Sequence, residues 1–143
     1  MAVLKSSRTA QYPLVAEFSW EASDTMIDIN GASTGFKSAA AHTVDVIPLP
    51  PGAVVIGGSF VRTTAFDGTT YAVTIGDSAS ANRYLGTADY KAAATTALVP
   101  TGYVSLGENL RLTITPTGTT TVGNGTVRIE YTIVGRANEV QIT

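Results

Sequence analysis

Apolar and polar residues alternate with a period of two along most of this chain of 143 residues, which is the pattern of strands that bury one face. The clearest case is NLRLTIT, in which Leu110, Leu112 and Ile114 point one way and the intervening polar residues point the other. The segment TVRIEYTIV alternates in the same manner, with its apolar set at Val127, Ile129, Tyr131 and Ile133. The connection between them, PTGTTTVGNG, begins with proline and ends in Asn-Gly, both of which favour turns. We therefore predict an antiparallel hairpin with one solvated face.

Two upstream segments predict a second hairpin. AVVIGGSFVRTT is a long strand interrupted at Gly57 and Gly58, where we expect a bulge. AFDGTTYAVTIG supplies an Asp-Gly turn and then a strand with Tyr71, Val73 and Ile75 on one face. PLVAEFSW, TMIDI and TVDVI are further strand candidates, and only TADYKAAA, residues 87–94, allows a short helical turn. The predicted fold class is all-β, an antiparallel β-sandwich or jelly roll of about eight strands.

The first dozen residues differ from the rest of the chain. Residues 1–12 are largely polar and lack alternation, so they predict an extended N-terminal arm before a single β-sandwich domain over residues 13–143. Two interpretations of the arm remain open: a frayed terminus, or an arm that becomes ordered on a neighbouring subunit. The arm lacks the apolar stretch of a secretory signal, so export by that route is not expected.

Composition excludes several classes of partner. Charged residues make up 14% of the chain, 9 basic and 11 acidic, and they are scattered singly. Nucleic acid binding needs a basic stripe and is not expected. The longest uncharged segment, VIPLPPGAVVIGGSFV, is broken by prolines and glycines, so a membrane span is not expected either. Few charges and a mean hydropathy of +0.19 indicate that another protein covers part of the surface.

The motif Gly76-Asp77-Ser78 raises the question of a serine nucleophile, because Gly-Asp-Ser opens the nucleophile block of one group of serine esterases. That chemistry requires an imidazole beside the serine. The only histidine, His42, precedes the motif, the fourth residue is alanine where the group has leucine, and the block stands in the middle of the chain. We interpret Gly-Asp-Ser as the end of a strand followed by a polar turn, and we predict no catalytic residue.

The sequence also offers few residues for a metal, cofactor or sugar site. The chain has no cysteine, and one histidine with singly placed carboxylates predicts no metal site and no cofactor. A sugar-stacking platform could be built from Trp20 and the tyrosines, but Trp20, Tyr71 and Tyr131 occupy expected core positions. Tyrosines in loop or arm segments are better candidates for protein contact, or else fold down onto the ends of the sandwich; they are Tyr12, Tyr84, Tyr90 and Tyr103.

Residues 47–136 resemble the decoration, or cement, proteins that coat the capsids of tailed bacteriophages. The resemblance rests on Pro-Pro-Gly before a long strand, on Gly-Asp-Ser followed by Arg-Tyr-Leu, and on the closing Glu-Tyr-Thr-Ile-Val-Gly-Arg. It implies a β-sandwich or jelly roll without enzymatic activity or cofactor, located on the capsid exterior and made in the host cytoplasm. The implied partners are the major capsid protein, whose neighbouring subunits it clamps, and further copies of itself. Trimers would suit threefold lattice positions and dimers twofold ones; we favour the trimer.

The residues expected to contact a partner come from the arm and from one loop region. They are the arm residues Lys5, Arg8 and Tyr12 and the loop residues Arg83, Tyr84 and Tyr90. Each could equally be solvated or locally packed. The alternative function is a glycan-binding sandwich, or a head-fibre or tail-associated virion protein.

Overall fold

Strands and loops account for all of the chain that the computed structural model describes, residues 12–37 and 40–135. No helix occurs in these residues. The strands are β1 Leu14–Glu21, β2 Thr25–Ile27, β3 Ser33–Gly35, β4 His42–Ile47, β5 Ala53–Arg62, β6 Thr70–Gly76, β7 Leu85–Asp89, β8 Ala94–Ala97, β9 Leu110–Thr117 and β10 Asn124–Ile133.

Eight of these strands form two four-stranded antiparallel sheets. The first sheet has the order β1-β10-β5-β8 and the second the order β4-β9-β6-β7, while β2 and β3 form a small separate hairpin. Successive strands of the sandwich therefore alternate between the two sheets, except that β6 and β7 both lie in the second sheet. This interleaving of first with last strands is the jelly-roll arrangement of a β-sandwich. The predicted fold class is confirmed.

The core lies between the sheets and uses the inward positions that alternation predicts. Leu110, Leu112 and Ile114 of β9 and Val127 and Ile129 of β10 are fully buried. Their burial confirms these predicted inward positions, whereas Tyr131 and Ile133, also predicted inward, are half-buried at the end of β10. Because side chains of a strand alternate between its faces, the intervening threonines and charged residues remain on the outside.

Aromatic side chains fill one half of the core. The Trp20 ring stacks on Phe60 and Phe36, with ring centroids 5.5 and 5.6 Å apart, and Phe66 stacks on Tyr71. The indole Nε1 of Trp20 donates a hydrogen bond to the Tyr71 hydroxyl at 3.1 Å, and that hydroxyl donates to the carbonyl of Phe36 at 2.9 Å. Burial raises the pKa of Tyr71, so the phenol stays neutral and keeps its proton for this bond.

The predicted hairpins are wrong, although their strands exist. β9 and β10 lie in different sheets, and so do β5 and β6. The loops that join them, residues 118–123 and 63–69, are long enough to cross from one sheet to the other, about 10 Å away. Asn124 and Gly125 are not a turn but the first residues of β10.

The bulge in β5 is confirmed, and the helical turn is wrong. The register between β10 and β5 shifts where Glu130 faces Gly57 and Tyr131 faces Val55, which leaves Ile56 as the extra residue. Residues 87–94 contain the end of β7 and the start of β8 rather than a helix. Pairing of β7 with β6 and of β8 with β5 outweighs the intrinsic helical preference of the alanines.

The sandwich has two ends that carry different segments. At one end, β1 begins and β10 ends, with Leu14 opposite Tyr131, and the loops 48–52, 77–84 and 98–109 lie beside them. We call this the tail end, because residues 1–11 and 136–143 adjoin it in sequence. The opposite end carries the segments 22–41, 63–69, 90–93 and 118–123.

Candidate protein-contact surfaces

The Gly-Asp-Ser motif forms a polar turn after β6. The Asp77 carboxylate is buried and accepts hydrogen bonds from the backbone N–H groups of Ala79 and Ser80 at 2.9 and 2.8 Å. The guanidinium of Arg83 donates to the same carboxylate at 2.6 Å, and this bond raises the pKa of Arg83. Gly76 is required because a Cβ there would lie 2.1 Å from the carbonyl oxygen of Ser80. These contacts confirm the turn interpretation.

Ser78 and His42 are too far apart along the sheet to cooperate in catalysis. Ser78 is exposed in the loop at the tail end, whereas His42 begins β4 and pairs with Ile114, toward the opposite end. The imidazole is buried, its Nδ1 donates to the carbonyl of Ala40 at 2.9 Å, and its ring meets Phe36 edge to face. The imidazole therefore belongs to the core.

A series of side-chain contacts links the loop 77–84, which contains Arg83, to the loop 98–109. The guanidinium carbon of Arg83 lies 3.5 Å from the centroid of the Tyr103 ring. The Tyr103 hydroxyl donates to Glu108 at 2.5 Å, and Glu108 also accepts from Ser105 Oγ and from the backbone N–H of Leu106. The bond from Tyr103 lowers the pKa of Glu108 to about 2. Both loops are thereby fixed, and their charged groups are engaged within the domain.

In addition to these contacts, the tail end has several exposed apolar side chains. We define the tail-end rim as Tyr12, Pro51, Val104, Leu106 and Val134, all exposed. Tyr12 and Leu106 are each 80% exposed and Val134 is 62% exposed. Sequence reasoning selected Tyr12 and missed the others, although the uncharged stretch of residues 92–107 was a usable signal.

The structure gives different environments to the six residues expected to contact a partner. Tyr12 is exposed at the rim, and Lys5 and Arg8 lie outside the described residues. Tyr84 is only 2% exposed, so its ring belongs to the core. Tyr90 is half-buried, donates to the carbonyl of Gly86 at 2.8 Å and packs edge to face on Phe60. Arg83 is bonded to Asp77 and lies over the Tyr103 ring. Contact with a partner stays a prediction for these residues, and for the buried Tyr84 only an indirect one.

The opposite end holds a shallow groove of about 420 Å³ next to Trp20. Its polar lining includes Glu21, Asp24, Asn124 and Thr126. Trp20 itself is 2% exposed, because the indole is sandwiched between Phe36 and Phe60. The expected core position of Trp20 is confirmed. Because both faces of the indole are covered, a sugar ring cannot stack on it.

Among the described histidine, aspartate and glutamate side chains, no three lie close enough together to hold a metal ion. Within the same residues there is also no helix that could cross a membrane.

Comparison with known proteins finds similarity in structure only. No protein-family model and no curated protein sequence matches the chain. A chain of the capsid asymmetric unit of cyanophage Pam1 superposes with a TM-score of 0.60 at 17% identity, covering 92% of this chain and 91% of that one. A chain of the acid-stable capsid of Helicobacter pylori bacteriophage KHP30 gives 0.56 at 17% identity, covering 90% of this chain and 100% of that one. At this identity the similarity is one of fold.

Proposed function

We propose that this protein is a structural component of a bacteriophage virion that binds the outside of the capsid and stabilises contacts between major capsid subunits. The observation that carries the proposal is the fold match to chains of two phage capsids. The match covers nine-tenths or more of both partners in each case. The similar chains are thus whole jelly rolls of about this size within their capsids, not fragments of larger folds.

The properties of the domain support such a role. A subunit that reinforces a shell needs a rigid body, and here the loops at the tail end are fixed by the contacts from Asp77 through Arg83 and Tyr103 to Glu108. Binding of this subunit stabilises the assembled shell by mass action, because the seam between capsid subunits that it binds exists only after assembly. Many equivalent sites multiply a modest free energy per site.

The proposed partners are the major capsid protein and further copies of this chain, with a trimer as the favoured oligomer. Among the predicted contact residues, Lys5, Arg8, Tyr12, Arg83 and Tyr90 keep this role in the proposal. Tyr84 acts indirectly, because its buried ring supports the loop that presents Arg83.

Binding to shells of the major capsid protein tests the proposal. The purified protein should sediment with expanded shells, saturate at a fixed ratio and raise the temperature at which the shells dissociate. The Lys5→Glu, Arg8→Glu double variant should bind less, while Lys37→Glu, an exposed lysine of the opposite end, should bind like the wild type. A protein that stays in the supernatant at every concentration would contradict the proposal.

The groove beside Trp20 favours a second candidate, a glycan-binding role on a head fibre or tail. Carboxylate, amide and hydroxyl groups of its lining suit the hydroxyls of a sugar, although the closed indole offers no stacking face. Saturable binding on a glycan array that is lost in Asp24→Ala would support this candidate. A blank array would remove it.

A further inference from the structure

The groove beside Trp20 is the middle one of three adjoining cavities at the opposite end of the sandwich. Its volume is about 420 Å³, and its two neighbours measure about 320 and 230 Å³. The larger neighbour shares Glu21 and Asn124 with it. The smaller one shares Ser19, Trp20 and Asp24. Because adjoining cavities have lining residues in common, the three form one continuous groove.

The groove crosses the ends of neighbouring strands. Thr64, just after β5, accepts the backbone N–H of Asn124 at 3.2 Å, and Asn124 faces Glu21 in the pairing of β10 with β1. Beyond Glu21 the lining continues to Met26 of β2. Neighbouring strands lie about 4.8 Å apart, so three steps of this size give a length of roughly 15 Å. At about 3.3 Å per residue, this length accommodates roughly four or five residues of an extended peptide.

Two carboxylates flank the middle of the groove. Glu21 lies where the middle cavity meets the larger neighbour, and Asp24 lies where it meets the smaller one. The Glu21 carboxylate has no partner among the described residues, and Asp24 uses only Oδ2, which accepts the backbone N–H of Glu21 at 2.7 Å. The lining contains no lysine, arginine or histidine, and Lys37 follows the lining residue Phe36 only at the outer end. The middle of the groove is therefore negative without a neighbouring positive charge.

Both ends of the groove offer apolar contacts. Phe18 and Met26 are half-buried at one end, where they pack against the core. Val122 is 52% exposed at the other end. In an extended peptide, side chains two residues apart point the same way and lie about 6.6 Å from each other. Three such side chains can therefore reach one apolar end, the carboxylates and the other apolar end.

We propose that this groove binds an extended peptide segment of a partner protein in which an arginine or lysine lies between two apolar residues. The cation donates hydrogen bonds to both carboxylates, and such charge-assisted bonds are stronger than those between neutral groups. The inference goes beyond the proposed function and does not rest on it, because the groove lies at the other end of the sandwich from Tyr12 and Arg83.

The lining favours a cationic peptide over a sugar or a metal ion. A sugar supplies only neutral hydroxyls to the two carboxylates, and the indole of Trp20 is covered on both faces. A calcium ion takes about six to eight oxygen ligands, whereas no three acidic or histidine side chains of the described residues come together. A guanidinium or ammonium group needs no more than the two carboxylates present.

Titration of the full-length protein with a short peptide tests the inference. The probe is acetyl-Leu-Ser-Arg-Ser-Leu-amide, which places arginine and both leucines on one face of an extended strand. It should bind saturably with a Kd of roughly 1 mM or tighter, and more weakly as salt is added. Fluorescence of the single tryptophan, which lines the groove, reports binding. Peptides with glutamate for arginine, or with serine for both leucines, should bind about tenfold more weakly or not at all.

Charge removal in the groove provides the test on the protein side. The Glu21→Gln, Asp24→Asn double variant should bind the probe about tenfold more weakly or worse, because it removes both charges with little change in shape. Asp28→Asn is the matched control. It removes a carboxylate of the same end that lies outside the lining and accepts the backbone N–H groups of Asn30 and Ala32. The control should bind within about twofold of the wild type, and thermal melting checks that each variant is folded.

Three results would overturn the inference: no saturable binding of the probe, equal binding of the glutamate peptide, or equal weakening by Asp28→Asn. Glycan binding that is lost in Asp24→Ala, without peptide binding, would overturn it in favour of a sugar. Shell binding is measured in parallel to separate the two proposals. A protein that binds the probe but ignores shells would support the groove and contradict the proposed function. A protein that binds shells but not the probe would do the reverse.

Discussion

The hydroxyl of Tyr71 links two parts of the core, and its removal by Tyr71→Phe should destabilise the domain strongly. The hydroxyl accepts from Trp20 Nε1 and donates to the carbonyl of Phe36. The tyrosine is fully buried, so water cannot take the place of its hydroxyl in these two hydrogen bonds. In the variant, one donor and one acceptor lose their partner within the core.

The expected loss follows from these two orphaned groups. Each buried polar group without a partner costs about 1–3 kcal/mol, so we expect a decrease in the free energy of unfolding of about 2–4 kcal/mol. A chain of 143 residues loses about 3 °C of melting temperature per kcal/mol. The melting temperature should therefore fall by roughly 6–12 °C.

Urea unfolding measures this loss directly, because the single tryptophan reports on the site itself. The matched control is Tyr131→Phe, since the Tyr131 hydroxyl makes no hydrogen bond with the residues that the structure describes. The control should change the free energy of unfolding by less than about 0.5 kcal/mol. If Tyr71→Phe is as stable as the control, the hydrogen-bonded link between the two sheets is refuted.

Three further predictions concern the core, the turn and the pH dependence. Gly125→Ala should cost about 1–3 kcal/mol, because a Cβ there would lie 2.6 Å from the buried indole; thermal melting with an unchanged midpoint would contradict this. Asp77→Ala should cost about 2–4 kcal/mol through lost hydrogen bonds and an unpaired guanidinium, whereas Ser78→Ala should stay within about 0.5 kcal/mol; equal effects in urea unfolding would refute the turn interpretation. Glu108 has its pKa lowered from 4.5 to about 2 in the folded state, so the unfolded state binds more protons and stability falls as the pH drops through this range; Glu108→Gln should flatten that dependence, and an unchanged pH profile would exclude the contact with Tyr103 as its cause.

The strands and their buried faces could be predicted from the sequence, because burial of one face imposes alternation on every strand. Leu110, Leu112 and Ile114 of β9 and Tyr71, Val73 and Ile75 of β6 were identified in this way, as was the irregularity at Gly57. Pro116, which is also buried in β9, was assigned to the following turn. Here local pattern and tertiary structure have the same physical cause.

Strand pairing could not be predicted, because a loop of six or seven residues returns the chain equally well to the same sheet or to the facing one. Asn-Gly favours a tight hairpin turn, yet Asn124 and Gly125 serve other needs in this fold. The Asn124 side chain accepts from the backbone N–H groups of Thr63 and Thr64, and Gly125 leaves room for Trp20. These are long-range contacts that no local pattern encodes.

The exposure of the candidate contact residues could be predicted only in part, for the same reason. Tyr84 stands in a polar segment, but its ring turns into the core. Leu106 stands in an uncharged segment that resembles a core strand, but it points outward from a loop that is fixed by Glu108. Exposure depends on how the loops pack, and this packing joins residues far apart in the sequence.

Co-sedimentation with shells of the major capsid protein tests the central claim most directly. The account predicts a fixed stoichiometry at saturation and shells that resist a higher temperature than bare ones. Light scattering before mixing gives the mass of the unit that binds. A protein that leaves the shells unbound and their thermal stability unchanged would contradict a capsid-stabilising role.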